Sequence, residues 1–577
     1  MKQSYRESSA QKRRLSFLGL ILVVLAGLVV AKLFYIQVLR HGYYLAFAEN
    51  QHWMKRDIPA ERGKIYVKDP ETGGLYPLAT NVQKDLCYAV PSQIKDPDYA
   101  AEKLAPLLKM KKGDILKEFE KSKYYVPLKH KLTEKQSEKI QNLGIEGVMV
   151  TPESWRYYPE KKLASHILGY VDWDGKGRYG LEGYFNGSLK GKPGFLEAEK
   201  DQGGQLISIG NLNLDPPKNG DDLILTIDRT VQYEVEKKLK EGVQKFGATG
   251  GSIVVMNPKS GAIVAMANYP DFNPNTYYKK KQEDYWVFSN PAINGVYEPG
   301  STFKPVVMAS AINEDKVNPT TTHKCSGYVR IGTDIVRTSD LRGHGTETMT
   351  QILENSCNVG MAFVAGKMGK GLTYDYLNRF GFNNDTGIRL HTENRGNIRD
   401  SNEWADIDLA TSGFGQGLGV TSLQMVTAFS ALANEGNLIQ PYIVEEIIHS
   451  DGSKEKRKSK VVRQVVEKDV TQTISAMLVS AVENGVANPA KLDGYYIAGK
   501  TGTAQVAAEN GDGYDPNKRI TSFIGYGPVD NPRFIILVKF DIPYGGDVWG
   551  VTTAVPVYKE VAKYLLNYYR VPPSVGG

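Results

Sequence analysis

A strongly apolar stretch without a charged residue lies near the N-terminus of the 577-residue chain, where residues 15–31 read LSFLGLILVVLAGLVVA. After Lys32 the apolar run resumes as LFYIQVL. A helix needs about 20 residues to cross the apolar core of a bilayer, and a lysine near one end can extend to the interface. The positive-inside rule keeps a preceding basic segment cytoplasmic. The basic residues before the run are Lys2, Arg6, Lys12, Arg13 and Arg14.

This pattern predicts a cytoplasmic stub over residues 1–14 and an uncleaved membrane anchor over 15–39, with the rest of the chain outside the cytoplasm. A cleaved signal peptide is the alternative, since Ala26 and Ala31 are small. The apolar run is long for such a peptide, however, and no small-residue cleavage site follows it.

Residues 40–220 are polar and contain many turn signals, among them DPETGG and GSLKGKPG. Between residues 93 and 145 a Lys/Glu-rich stretch has helical periodicity and predicts a small helical subdomain. The segment NLNLDPPKNGDD at 211–222 has two prolines and no apolar periodicity, so it predicts a domain boundary near residue 220.

From residue 221 the pattern becomes that of an α+β domain ending near 570, followed by a tail over 571–577. DLILTID predicts a strand, and RTVQYEVEKKLKEGVQKF predicts an amphipathic helix. Residues 252–269 and 521–540 each consist of two β-rich runs around a turn, which predicts two hairpins. Helical and loop segments separate the hairpins, and the helix PVYKEVAKYLLNYY follows the second. We expect one antiparallel sheet built from both ends of this domain.

Composition excludes several classes of partner. The formal net charge is +7, and no Lys/Arg block is interleaved with aromatic residues, so no nucleic-acid partner is expected. The cysteines, Cys87, Cys325 and Cys357, are odd in number and form no C-x-x-C. The eight histidines form no ligand-spaced pair, so neither a metal nor a cofactor is expected. GFGQGLG at 413–419 lacks the strand-then-helix context of a phosphate-binding loop.

Candidate chemistry begins at GSTFKP, residues 300–305. A serine hydroxyl is a weak nucleophile until a base takes its proton, and a lysine with a lowered pKa can be that base. Ser301 and Lys304 are three residues apart at a predicted helix start, which places them on one face. The N–H groups of a first helical turn can also stabilise an oxyanion. By itself the pair is also compatible with an ordinary helix start.

Two further motifs follow in the chain. ENSCNVG contains Ser356 and Asn358, and AGKTGTAQV contains Lys500. S-x-x-K, S-x-N and K-T-G in this order form the motif set of the penicillin-reactive serine enzymes. Ser356 follows Ser301 by 55 residues and Lys500 follows Ser356 by 144, which leaves room for a helical subdomain.

Longer segments resemble the class B penicillin-binding proteins from the anchor to the closing helix. They include ERGKIY (61–66), GLEGYFNGSLKGKPG (180–194), MNPKSGAIVAMANYPDFNPN (256–275) and FGQGLGVTSLQM (414–425). The resemblance implies a penicillin-binding, serine β-lactamase-like α+β domain on a non-catalytic, dimerisation-type pedestal. It also implies a D,D-transpeptidase of the bacterial inner membrane that cross-links peptidoglycan stem peptides, is inhibited by β-lactams and works with a polytopic membrane glycosyltransferase.

The resemblance also implies roles for the motif residues. Ser301 would attack the penultimate D-Ala carbonyl, with Lys304 as the base. Burial and the charge of Lys500 would keep Lys304 partly neutral. Ser356 would relay a proton to the leaving amine. The backbone N–H groups of Ser301 and Thr503 would form the oxyanion hole.

Substrate binding is implied for the remaining motif positions. Asn358 can donate to and accept from the peptide groups of the substrate. Lys500, Thr501 and Thr503 would bind the terminal carboxylate. Gly502 would leave its strand face open, so that the substrate could pair with it as an added strand.

Alternatives remain at this point. A β-lactamase or D,D-carboxypeptidase shares the motifs, but the chain has no E-x-x-L-N stretch and carries a pedestal that such enzymes do not need. A penicillin sensor or scaffold would not need the complete motif set, and the stub is short for a signalling domain. Cys357 is expected to pack in the core, His344 to be structural and Glu354 to point away from the site. A role in division, elongation or sporulation is left open.

Overall fold

The computed structural model describes residues 9–42, 53–199, 212–508, 513–544 and 548–574. The chain forms two compact units, one from residues 1–60 and 192–218 and the other from 61–191 and 219–577. Each unit combines two separate segments of the chain, so the units do not correspond one to one to the predicted domains. The domain limits 40–220 and 221–570 therefore remain a prediction.

The smaller unit contains the apolar helix. Ser9–Phe34 is α-helical and continues as a π-helical turn over Tyr35–Leu39. Within residues 13–39 the most apolar 18-residue window has a mean hydropathy of 2.7 and none of that window is buried, so this helix is long and apolar enough to span a membrane. The unit also contains an antiparallel sheet, whose strands in order are Trp53–Ile58, Gly194–Glu199 and Leu212–Asp215.

In the larger unit, residues 61–191 share a seven-stranded sheet with later parts of the chain. Asp222–Leu225 runs parallel to Ile65–Lys68 and antiparallel to Val444–Ile448. The strands of the seven-stranded sheet are, in order, Lys454–Lys456, Val444–Ile448, Asp222–Leu225, Ile65–Lys68, Leu75–Ala89 and Val126–Leu132. The seventh strand, Val148–Tyr157, also pairs with Leu75–Ala89. A small ribbon pairs Tyr170–Val171 with Gly177–Arg178.

The helical periodicity of residues 93–145 is confirmed. The helices are Pro97–Leu108, Lys112–Lys121 and Glu134–Asn142, with the strand Val126–Leu132 between the second and third. Asp96 caps the first helix by accepting from the N–H of Tyr99 at 3.0 Å. Their buried faces form a separate small core with Cys87. Three short helices follow: Ser165–Leu168, Gly180–Tyr184 and Asn186–Lys190.

The predicted antiparallel sheet from both ends of the catalytic part is also confirmed. Both hairpins form and lie next to each other because Gly250–Met256 pairs with Phe534–Asp541. The five strands in order are Ile263–Tyr269, Gly250–Met256, Phe534–Asp541, Tyr514–Gly527 and Ala498–Ala507. The last strand carries the K-T-G motif and lies at the edge of the sheet.

Both faces of this sheet are covered, which explains why its central strands are almost continuously apolar. Alternate side chains point to opposite faces. Ile253 and Val255 pack against the helices Arg229–Phe246 and Ala554–Tyr568. Val254 packs in the larger core on the other face, together with the helices that carry the first two motifs.

Helices form that second layer. They are Pro291–Asn294, Lys304–Asn313, Met349–Glu354, Asn358–Arg379, Asp406–Ser412, Ser422–Ala433 and Lys468–Glu483. Three two-stranded ribbons accompany them: Thr322–Cys325 with Gly345–Thr348, Tyr328–Ile331 with Asp334–Arg337, and Asn437–Ile439 with Val461–Gln464. Short 3-10 helices lie at Pro91–Gln93, Pro274–Lys279, Gln282–Phe288, Gly300–Phe303, Ser401–Glu403 and Asn488–Ala490.

A buried ion cluster centres on Glu182, from the GLEG segment of the sequence. Glu182 is fully buried and bonds to Arg62 and Arg156, each at 2.6 Å. Arg156 also donates to the carbonyl of Gly63 at 2.7 Å. Burial alone would raise the pKa of Glu182, but the two guanidinium groups reverse this and leave the pKa below its ordinary value. The cluster therefore stabilises the fold above the unfolded pKa of this carboxyl, and that contribution is lost as the pH falls through the folded pKa.

We expect Glu182→Ala to lower the free energy of unfolding by about 3–5 kcal/mol, because it removes the only carboxylate that pairs with these two buried guanidinium groups among the described residues. Denaturant unfolding at neutral pH measures the change. Glu118→Ala is the matched control: Glu118 pairs with Lys121 at the surface, where such pairs contribute about 0–1 kcal/mol. Equal losses in the two variants would contradict a special role for the cluster.

Candidate active site

Ser301 lies in a tight turn between the edge strand and the helical layer. Gly300–Phe303 forms a 3-10 turn that leads directly into the helix Lys304–Asn313, with Pro305 in the first helical turn. Gly300 has φ of +56°, and a Cβ there would lie 3.2 Å from the Cβ of Ala504. Its N–H donates to the carbonyl of Gly415 at 3.0 Å. The glycine thus lets the turn approach the K-T-G strand closely.

Lys304 is fully buried on the helix that begins with it. Its Nζ donates to Oδ1 of Asn358 at 2.8 Å, to Oγ of Ser356 at 3.1 Å and to the Ser356 carbonyl. Burial, and next the positive charge of Lys500, hold the pKa of Lys304 well below its ordinary value. Among the described residues its hydrogen bonds go to the S-x-N motif and not to Ser301, the contact predicted from the i, i+3 spacing.

Ser356 lies between two buried amines. Lys500 donates to its Oγ at 2.9 Å, and Lys304 donates to the same oxygen at 3.1 Å. Burial lowers the pKa of Lys500 to about 7. Ser356 itself has φ of +55°, the left-handed region that non-glycine residues rarely adopt. The S-x-N turn is therefore a strained segment that the surrounding contacts hold in place.

The two threonines of the K-T-G motif line a cavity of about 270 Å³ together with Ser301, Ser356 and Trp549. The hydroxyl of Thr503 also accepts from the N–H of Gly550 at 2.9 Å. The outer edge of this strand is not paired within the five-stranded sheet, so an extended peptide has backbone groups to bind.

The structure gives Gly502 a packing role that the sequence alone does not predict. A Cβ at this position would lie 2.5 Å from Oγ of Ser522 and 2.8 Å from Cγ2 of Thr302. The absence of a side chain therefore lets the strand pack against the turn that carries Ser301. The role of Gly502 in leaving the strand face open to a substrate stays a prediction.

A second cavity of about 520 Å³ also includes Ser301 and Thr503 in its lining. It shares Trp549 with the first cavity and adds Asn358 and Arg519, and the guanidinium of Arg519 lies 5.0 Å from the Trp549 ring centre. Sequence reasoning missed Trp549 and Arg519, because neither belongs to a motif and both reach the site through long-range pairing. Gln416, from the glycine-rich segment 413–419, also lines this cavity.

Glu354 points away from the site, as predicted. Its carboxylate accepts from the hydroxyl of Ser480, on the helix Lys468–Glu483. Its backbone carbonyl accepts from the N–H of Val486 at 2.9 Å. This carboxylate is thus bound to a neighbouring helix and takes no part in the hydrogen bonds around Ser301.

Comparisons with known proteins identify the family of the chain. Residues 251–563 match the penicillin-binding protein transpeptidase domain, and residues 57–225 match the penicillin-binding protein dimerisation domain. The chain is 33% identical to stage V sporulation protein D of Bacillus subtilis, over 97% of this chain and 86% of that one. It is 30% identical to the probable peptidoglycan D,D-transpeptidase PbpC of Pseudomonas aeruginosa, over 98% of this chain and 97% of that one.

Solved structures show the same architecture. A peptidoglycan synthetase from Bifidobacterium adolescentis superposes with a TM-score of 0.73 at 28% identity, covering 91% of this chain and 98% of that one. Penicillin-binding protein 3 of Mycobacterium tuberculosis in complex with aztreonam superposes with a TM-score of 0.69 at 25% identity, covering 90% and 98%. With its dimerisation and transpeptidase domains, this chain belongs to the class B penicillin-binding proteins.

Proposed function

We propose that this protein is a membrane-anchored D,D-transpeptidase that cross-links peptidoglycan stem peptides through an acyl-enzyme on Ser301. The observation that carries the proposal is the hydroxyl of Ser356 between two buried lysines whose pKa values are lowered. This proton-transfer group and the hydroxyl of Ser301 line one cavity, and the unpaired edge of the K-T-G strand is available to a peptide.

Acylation begins with the neutral form of Lys304. Its amine takes the proton of Ser301, and Oγ attacks the carbonyl carbon of the penultimate D-alanine. This step requires Lys304 to turn from Asn358 and Ser356 toward the serine, a distance of one helical turn. The backbone N–H groups of Ser301 and Thr503 are our candidates for the oxyanion hole.

Collapse of the tetrahedral intermediate breaks the peptide bond. The proton on Lys304 passes through the hydroxyl of Ser356 to the departing amine of the terminal D-alanine, which leaves an ester on Ser301. Lys500 contacts the same hydroxyl and, in its protonated form, pairs with the terminal carboxylate of the substrate together with Thr501 and Thr503. An acceptor amine then attacks the ester, gives up a proton and restores the serine hydroxyl.

The acids near the site support our proposal that the acyl group passes to an amine rather than to water. Asp334 and Asp340 line the two cavities. Asp340 accepts from the N–H of Arg342 at 3.2 Å and bonds to His344. Among the described residues, neither carboxylate bonds to Ser301 or Lys304. Within the described part of the chain, neither of these carboxylates is bonded to the nucleophile or its base, which supports an ester that persists until an amine arrives.

The apolar helix over 13–39 supports a single-pass anchor. We assign the catalytic part to the extracytoplasmic side of the bacterial plasma membrane, because basic residues precede that helix. The partner implied by the family resemblance is a polytopic membrane glycosyltransferase, contacted through the anchor and residues 40–220.

A fluorescent penicillin tests the reaction. We expect one label per chain, on the peptide that contains Ser301, and release over minutes or longer in a chase with unlabelled penicillin. Mass spectrometry locates the adduct, and Ser301→Ala is the control that takes no label. An adduct on Ser356, or release within seconds as in a β-lactamase, would contradict the proposal.

Lys304→Arg tests the base. Arginine keeps the positive charge but does not deprotonate, so we expect acylation to slow by about 10²- to 10⁴-fold, the usual contribution of a general base. The wild-type rate should rise with pH as Lys304 loses its proton and fall as the pH drops through its lowered pKa. Lys304→Arg should lose this rise.

Lys468→Arg is the matched control for Lys304→Arg, because Lys468 pairs with Glu435 at the surface. It should acylate at the wild-type rate, and circular dichroism should show that both variants fold. Near wild-type acylation by Lys304→Arg would mean that Lys304 acts only through its charge.

The partner is tested by affinity purification from membranes in mild detergent. We expect the full-length chain to retain a polytopic membrane glycosyltransferase, and a chain without residues 1–40 to retain less of it while still reacting with penicillin. Equal retention by both chains would assign the contact to the pedestal alone. Retention by neither would reject the partner.

A further inference from the structure

Four side chains that can ligate a metal ion meet beneath the S-x-N turn, and we call them the buried donor cluster. They are Cys325, His344, Glu347 and Cys357. Cys325 ends the strand Thr322–Cys325, and Cys357 caps the helix Asn358–Arg379. Glu347 lies on the strand Gly345–Thr348, and His344 is the residue just before that strand. In this ribbon Cys325 pairs with Gly345. One donor atom from each of the four lies within 4.8 Å of all the others.

Two of these atoms lack a hydrogen-bond partner. The Glu347 side chain is 2% exposed, and Asn355 donates to its Oε1 at 2.8 Å, but its Oε2 has no partner among the described residues. Nδ1 of His344 lies 3.3 Å from Oε1 of Glu347, and in the described part of the chain it too makes no hydrogen bond. Buried polar atoms without partners are costly and uncommon, so a cation between them would satisfy both.

Contacts behind the donors orient them toward a common centre. Nε2 of His344 lies 3.2 Å from the Asp340 carboxylate, which leaves Nδ1 available as a donor. The N–H of Gly360 donates to Sγ of Cys357 at 3.3 Å, which fixes the direction of the sulfur. A carboxylate behind a ligating histidine and N–H groups on a thiolate are the usual outer contacts of a metal site.

We propose that the buried donor cluster binds one zinc ion. Two sulfur donors, one imidazole nitrogen and one carboxylate oxygen complete a four-coordinate set with no position left for water, as in structural zinc sites. Hard cations such as Mg²⁺ and Ca²⁺ prefer all-oxygen sites and would not select the two cysteines. Binding displaces the two thiol protons.

A disulfide is the competing use of the two cysteines. Their sulfur atoms are 3.4 Å apart, beyond the bond length of about 2.05 Å. A disulfide would also leave Oε2 of Glu347 and Nδ1 of His344 without hydrogen-bond partners among the described residues. Zinc would bind all four side chains. The structure therefore favours metal over disulfide.

The site would position catalytic residues without touching the substrate. Cys357 lies between Ser356 and Asn358, and Ser356 has the strained φ of +55°. Zinc would fix Cys357 to the ribbon behind it and so hold the strained turn under the two lysines. The charge near Lys304 would not change, because the two charges of the ion offset the two thiolates. We therefore assign the ion a structural role.

The first test is metal content. We expect the full-length chain, purified in detergent without a metal-affinity step and dialysed, to carry about one zinc per chain by mass-spectrometric metal analysis. Cys325→Ser and His344→Ala should each lose that equivalent. Cys87→Ser is the matched control, because Cys87 is also buried but lies in the separate helical core, and it should keep the zinc.

The second test does not depend on variants that fold poorly. Removing zinc from the wild-type chain with a chelator and adding Co²⁺ should give the thiolate-to-metal charge-transfer band of a two-sulfur site. Zinc removal should slow penicillin acylation, and zinc addition should restore it. Metal content is measured without turnover, so its outcome is independent of the proposed transpeptidase function.

Three results would overturn the site. A wild-type chain without zinc whose Cys325 and Cys357 react as free thiols would reject it. So would a mass that shows a disulfide between them. Zinc that remains bound in Cys325→Ser and His344→Ala would place the metal elsewhere.

Discussion

The active site depends on the burial of two amines against one serine hydroxyl. A lysine removed from water loses the solvation of its charged form, and a second amine nearby adds repulsion, so the neutral form becomes accessible at working pH. Lys304 and Lys500 are both fully buried, and both reach Ser356. The apolar core beneath them and the dense packing of the edge strand against the Ser301 turn are what keep water away from these amines.

The local parts of this arrangement could be predicted from the sequence. The i, i+3 spacing of Ser301 and Lys304, the helix start after the S-x-N motif and the strand character of the K-T-G segment all depend on neighbours in the chain. The two hairpins and their union in one sheet were also predictable, because their strands have the continuous apolar pattern of a sheet that is covered on both faces.

Long-range contacts could not be predicted in this way. The bond from Lys304 to Asn358 replaces the expected contact with Ser301, because the helix Asn358–Arg379 packs beside the one that begins at Lys304. Gly502 is required by the approach of Thr302, a residue about 200 positions away in the chain. The buried donor cluster escaped notice for the same reason, since its cysteines and histidine have no regular spacing and meet only when a ribbon folds against a helix start.

The S-x-N turn is thereby held from two sides. On the cavity side the lysines bond to Ser356 and Asn358, and these bonds exist only while the amines keep their positions. Those bonds must be released and remade as protons move, so they cannot by themselves maintain a backbone conformation that is strained by about 1–3 kcal/mol. Cys357 faces the opposite side, into a core that does not take part in proton transfer. An anchor there leaves the hydroxyl of Ser356 free to exchange its partners while its backbone stays fixed, which is the requirement for a relay that works in both halves of the reaction.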